Sequence, residues 1–124
     1  MTGSSKLTLV LGASSNPGKV SYEGLVALSS RNFPAIGLGR KEYYGHNFII
    51  YKELPPGIKS VHTISLYIGE AIQPEFYDLI FTLSPERIIF NPGTSNPELE
   101  DMAVINGIEV VKGCMLTMLQ LGEF

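Results

Sequence analysis

Apolar residues in this chain fall into short continuous runs, and between the runs they recur every three or four positions. The first run sets Leu7, Leu9, Val10 and Leu11 around Thr8. It is too short for a helix and stops at Gly12, so it predicts a buried strand. Gly18 to Arg31 then spaces Tyr22, Leu25, Val26 and Leu28 as an amphipathic helix would. Phe33 to Leu38 predicts a second strand, Ser60 to Leu66 a third, Arg87 to Phe90 a fourth and Ile108 to Val111 a fifth. Gly45 to Tyr51 reads as a small edge strand or an extended loop, closed by the turn Leu54-Pro55-Pro56-Gly57. Three more helices fit between and after the strands. Pro74 to Leu83 is one; another is capped by Asn96, starts at Pro97 and turns Leu99, Met102, Ala103 and Ile105 inward. The last starts near Gly113 and Cys114 and buries Met115, Leu116, Met118 and Leu119.

Strands alternating with helices need crossover connections, which cover a parallel sheet on both faces. The expected class is therefore α/β: a Rossmann-like three-layer sandwich around a mainly parallel, five-stranded sheet. In such sheets a ligand lies at the carboxyl ends of the strands, where the strand order reverses. Those ends are Gly12 to Lys19, Leu38 to Lys41, Tyr67 to Gly69 and Asn91 to Ser95, and all four are expected to face one crevice.

The loop after the first strand, Gly12-Ala13-Ser14-Ser15-Asn16-Pro17-Gly18-Lys19, carries the candidate chemistry. Ser14, Ser15 and Asn16 suit a turn or cap, and Pro17 suits a first helical position. Loop amides and a helix start would aim positive ends at one spot, a ready place for phosphate. Lys19 either touches that phosphate or only solvates the first helical turn. The dinucleotide pattern GxGxxG is broken at Ser14, and a P-loop is excluded by the five residues between Gly12 and Gly18 and by Val20 after Lys19. Where an NAD-binding fold sets an acid after its second strand, this chain has Gly39, Arg40 and Lys41. Two cations there favour a ligand with an extra ribose phosphate, or else form a solvated basic turn.

Length and charge narrow the picture. The 124 residues, 44% hydrophobic, fit one domain over residues 6–124 behind a short disordered lead-in at 1–5. A net charge of -3, with no basic run, argues against nucleic acid and anionic membrane surfaces. One cysteine, no signal-peptide core and no apolar run of membrane length make the cytoplasm the expected location. Cys114 reads either as a reactive thiol, able to form a mixed disulfide with a thiol ligand, or as an inert packed residue. His62 sits inside a strand pattern as a packed or edge histidine, and His46 in a surface loop. Tyr43, Tyr44 and Tyr51 suit a core rim or a partner surface. No residue set for nucleophilic, acid-base or metal chemistry stands out.

The order of four features resembles a known family: G-A-S-x-N-P-G-K after the first strand, a basic turn after the second, Asn91-Pro92-Gly93 after the fourth and Cys114-Met115 after the fifth. Together, from about Lys6 to Leu119, they look like the small stand-alone CoA-binding proteins, similar to the CoA-binding domain of succinyl-CoA synthetase α subunits. The resemblance implies a CoA or acyl-CoA module without catalysis of its own. It implies Gly12, Ala13, Ser14, Ser15, Asn16 and Lys19 around the CoA phosphates and Arg40 at the adenosine phosphate. Tyr67 and Ile68 would lie against the adenine or its linkage, and Asn91, Pro92 and Gly93 at the crevice mouth. The family's usual Asn-Pro-Lys is replaced here by Leu38-Gly39-Arg40, and its Gln-Pro-Gly by Asn91-Pro92-Gly93. Two other readings stand beside it: an NADP-dependent oxidoreductase, and a regulatory or scaffold protein with a vestigial site, acting as a homodimer or through another protein partner.

Overall fold

The computed structural model describes residues 6–124; the lead-in expected at residues 1–5 lies outside them. Strand β1 (Thr8–Leu11) is wholly buried and central. It pairs in parallel with β2 (Ala35–Leu38) on one side and β5 (Thr63–Leu66) on the other. Beyond β5 lie β6 (Arg87–Phe90) and β7 (Glu109–Lys112), again parallel. Beyond β2 lies β4 (Ile49–Tyr51), parallel, and then β3 (Tyr43–Tyr44), antiparallel.

The sheet thus has seven strands in the order β3-β4-β2-β1-β5-β6-β7, not the five expected from the sequence. The two extra strands form a hairpin: β4 falls within the Gly45 to Tyr51 run offered as an edge strand or extended loop, and β3, of two residues, is too short to show a period in the sequence. Its turn is closed by the Gly45 N–H donating to the Phe48 carbonyl at 3.1 Å. The rings of Tyr22, Tyr43 and Phe48 pack together and hold the hairpin to the first helix.

Side-chain alternation gives the strands two apolar faces. Leu9, Leu11, Ile64, Leu66, Ile88 and Phe90 pack on one face with Ile80, Leu83, Leu99 and Ala103, from and around helices α2 (Tyr77–Thr82) and α3 (Pro97–Ile105). Val10 and Ile89 pack on the other with Leu25 and Leu28 of α1 (Val20–Ser30) and Met115 and Leu119 of α4 (Met115–Gln120). Each of the Val, Leu, Ile, Phe and Met side chains among these contributes roughly 1.5–3 kcal/mol by leaving water. Three layers result. Among the described residues no helix is long and apolar enough to cross a membrane.

Several boundaries differ from expectation for local reasons. Helix α1 starts at Val20, not Pro17, because Ser14 Oγ accepts the Asn16 N–H at 3.0 Å and Asn16 Oδ1 accepts the Gly18 N–H at 2.9 Å. Those side chains close turns and leave Lys19 at the cap position without a capping bond. The helix expected over Pro74 to Leu83 is a 3-10 turn (Gln73–Phe76) running into α2. Helix α3 follows its sequence signal: Asn96 accepts the Leu99 N–H at 3.3 Å and Pro97 stands first. Its inner face is Leu99 and Ala103, while Ile105 is 82% exposed.

Candidate functional site

The chain leaves β1 towards β2 on one side of the sheet and later returns to β5 on the other. Over this reversal, at the carboxyl ends of β1, β2 and β5, lies an open cavity of about 670 Å³. One wall is the first loop, Gly12 to Asn16; a second is Leu38 to Lys41 with Lys52; the third is Ile68, Gly69, Ile72 and Phe76.

Two glycines let these walls come close. Gly12 has φ +95°, and a Cβ there would stand 2.7 Å from Ile68 Cγ2. A Cβ on Gly39 would collide with the Ala13 carbonyl oxygen. The Gly12 and Ala13 amides both donate to the Leu38 carbonyl at 2.9 Å, so the first loop is laced to the end of β2. The amides of Asn16, Gly18 and Lys19 are used inside the loop as well. Among the described residues, those of Ser14 and Ser15 have no protein acceptor, which leaves two donors at the cavity for an anion.

Electrostatics point the same way. Arg40, Lys41 and Lys52 line the cavity, and no acidic side chain does. None of the three takes part in an ion pair among the described residues. The apolar wall of Ile68, Ile72 and Phe76 faces this cationic rim, an arrangement that can hold a phosphorylated ligand with a flat or aliphatic part.

Of the residues singled out in the sequence, the cavity brings together Gly12, Ala13, Ser14, Ser15, Asn16, Arg40 and Ile68. Lys19, Tyr67, Asn91, Pro92 and Gly93 are not in its lining. Lys19 is exposed at the start of α1. Tyr67 packs on the opposite side, among Gly24, Met115 and their neighbours. Burial pushes its phenol up to about 12, and its Oη finds no hydrogen-bond partner among the described residues. Ser65 opposes that shift, but its hydroxyl accepts from Asn91 Nδ2.

Asn91 is buried and saturated. Its Nδ2 donates to Ser65 Oγ at 2.8 Å and to the Leu66 carbonyl at 2.9 Å, and its Oδ1 accepts the Met115 N–H at 2.8 Å. The amide thus ties β6 to β5 and α4, while Pro92 and Gly93 point into solvent. The same segment supports the cavity indirectly through buried Gln73. Its Nε2 donates to the Ile68 and Thr94 carbonyls, and its Oε1 accepts from Asn96 Nδ2, which bolts the third wall to the loop before α3. Cys114, half-buried, also lies outside the cavity lining; the Thr117 hydroxyl and the amides of Leu116 and Thr117 hold its thiol below the usual range.

Gly69, expected at the crevice as part of the third strand's end, does line it, whereas Lys52, Ile72 and Phe76 are lining residues that sequence reasoning missed. Lys52 follows Tyr51, the end of β4. Had the Gly45 to Tyr51 run been read as a strand parallel to the second, its last residue would have fallen at the same crevice.

A parallel sheet reversing at its first strand, with a cationic crevice at that point, defines a Rossmann-like domain. The sequence matches the CoA binding domain model over residues 6–120, and the chain belongs to that family. An uncharacterised protein of known crystal structure is 41% identical with a TM-score of 0.88, covering 96% of this chain and 98% of that one. A hypothetical protein from Pyrococcus horikoshii OT3 is 18% identical with a TM-score of 0.81, covering 94% of this chain and 82% of that one. A protein from Thermus thermophilus is 16% identical with a TM-score of 0.80, covering 97% and 91%. These last two speak for the fold alone. No curated protein matches the chain.

Proposed function

We propose that this chain is a binding module for CoA or an acyl-CoA, with no chemistry of its own, that holds the nucleotide end of its ligand across β1, β2 and β5. The observation that carries this reading is the meeting of the free Ser14 and Ser15 amides with Arg40 and Lys41 in one acid-free cavity. Membership of the CoA binding domain family supports it. In this reading the two amides receive diphosphate oxygens and Arg40 pairs with the ribose phosphate, through charge-assisted bonds. The apolar wall of Ile68, Ile72 and Phe76 takes an aliphatic or ring portion.

The test is titration calorimetry of the reduced protein with CoA, dephospho-CoA, NADP and NAD side by side. Saturable binding of CoA, well above the other three, is the expected result. NADP binding as tightly as CoA would move the assignment to a nicotinamide nucleotide. Failure of all four ligands would leave a fold whose site is vestigial.

A further inference from the structure

Lys52 comes from a part of the sheet that the five-stranded expectation did not contain. Leu38 pairs with Tyr51 across β2 and β4, and the Gly39 N–H donates to the Tyr51 carbonyl at 2.9 Å. Lys52 therefore stands beside the Gly39-Arg40 segment, one strand further out. Gly39 carries no side chain, which lets the Ala13 carbonyl of the first loop pack directly against this segment. The base of Lys52 is well fixed, since β4 is held by β2 on one edge and by β3 on the other.

Three of the nine Lys and Arg residues of a chain with net charge -3 thus gather on one cavity, free of ion pairs among the described residues. In the reading above the two amides serve the diphosphate, whose bridging phosphates carry one charge each, and Arg40 serves the ribose phosphate. A phosphomonoester carries about -1.5 to -2 near neutral pH and gains more from each added cation. We infer that Lys52 is a specificity residue: delivered by the β3–β4 hairpin, it joins Arg40 in reading a ribose phosphomonoester. The cavity then selects nucleotides that carry this group over those that lack it. The inference rests on the CoA reading above and deepens it.

Wild type, Lys52→Gln and the control Lys59→Gln are titrated with CoA, dephospho-CoA and adenosine 3′,5′-bisphosphate. Lys59 is exposed and outside the cavity lining, so it reports the effect of net charge alone. Lys52→Gln is expected to weaken CoA and the bisphosphate about fivefold, the upper range for an exposed charge pair, and dephospho-CoA by no more than about twofold. Lys59→Gln is expected to leave all three unchanged. Equal losses for CoA and dephospho-CoA would assign Lys52 to the diphosphate and overturn the inference, as would no loss at all; in both cases CoA binding by the wild type keeps the module reading. A wild type that binds none of the three overturns both.

Discussion

At the carboxyl ends of β1, β2 and β4, the cations Arg40, Lys41 and Lys52 stand exposed around an open cavity, whereas at the amino ends of β5 and β6 the cation Arg87 is only 8% exposed. Arg87 Nε donates to Thr63 Oγ1 at 2.8 Å, and its guanidinium lies 4.3 Å from the centroid of the Phe124 ring. Lys6 Nζ completes that edge, donating to the Phe124 carbonyl at 3.3 Å over the rings of Phe33 and Phe124. One edge of the sheet has turned its charges inward onto rings and hydroxyls, where they contribute to stability. The other has left them unmatched, where they are available to a ligand. The two edges should therefore respond to mutation through different observables.

The largest effect is expected from a residue that lies at the open edge but belongs energetically to the closed kind. Asn91→Ala strands the Leu66 carbonyl, the Ser65 hydroxyl and the Met115 N–H in the interior, at a cost of roughly 3–4 kcal/mol. Thermal unfolding should fall by about 4 °C per kcal/mol in a chain of this size. A variant with unchanged melting that has lost CoA would instead make Asn91 a ligand contact and break the contrast. Next comes Arg87→Ala, expected to lose roughly 2–3 kcal/mol through the stack on Phe124 and the hydrogen bond to Thr63, with CoA affinity unaltered. Arg40→Ala should do the reverse. It should weaken CoA about tenfold and dephospho-CoA much less, while unfolding without ligand stays within about 0.5 kcal/mol of wild type. Equal weakening of both ligands would remove Arg40 from the ribose phosphate.

The contrast also explains what the sequence made legible. β1, β6 and the Asn96-Pro97 cap follow local signals, a dense apolar run or a side chain bonded to its own helix, so pattern alone finds them. The first loop was found the same way, because small residues between a strand and a helix have few other uses. Asn91 and Tyr67 looked equally suited to a ligand, yet their partners are the Met115 amide and the neighbourhood of Gly24, far along the chain. Whether a polar loop residue is spent inside or left open depends on such long-range neighbours, which the local sequence does not encode. Lys52 was missed for the converse reason: a three-residue strand gains its identity only by pairing with β2.

The smallest effect sharpens the contrast through pH. His62 Nδ1 is 2.7 Å from Thr63 Oγ1, and that oxygen already accepts from Arg87 Nε, which leaves the threonine proton for the imidazole. The neutral ring fits this arrangement, whereas a protonated ring would bring a second donor against Thr63. Burial holds His62 below its ordinary pKa, helped by Arg87 and Lys6 and opposed by Glu86 and Glu109. With the folded pKa below the unfolded value of about 6.5, the unfolded chain binds more protons at mildly acidic pH. Stability should therefore be flat above about pH 7 on this account and decline as pH falls through 6.5 towards the folded pKa. The ring is partly exposed and Glu86 lies 3.8 Å from its Nε2, so after solvent screening the loss is roughly 0.5 kcal/mol or less. Subtracting the stability profile of His62→Gln from that of wild type isolates this contribution, because the carboxylates titrate alike in both. A difference that grows in favour of wild type on acidification would mean that the histidine gains its proton on folding, and the closed edge would then hold a charge that it had been expected to exclude.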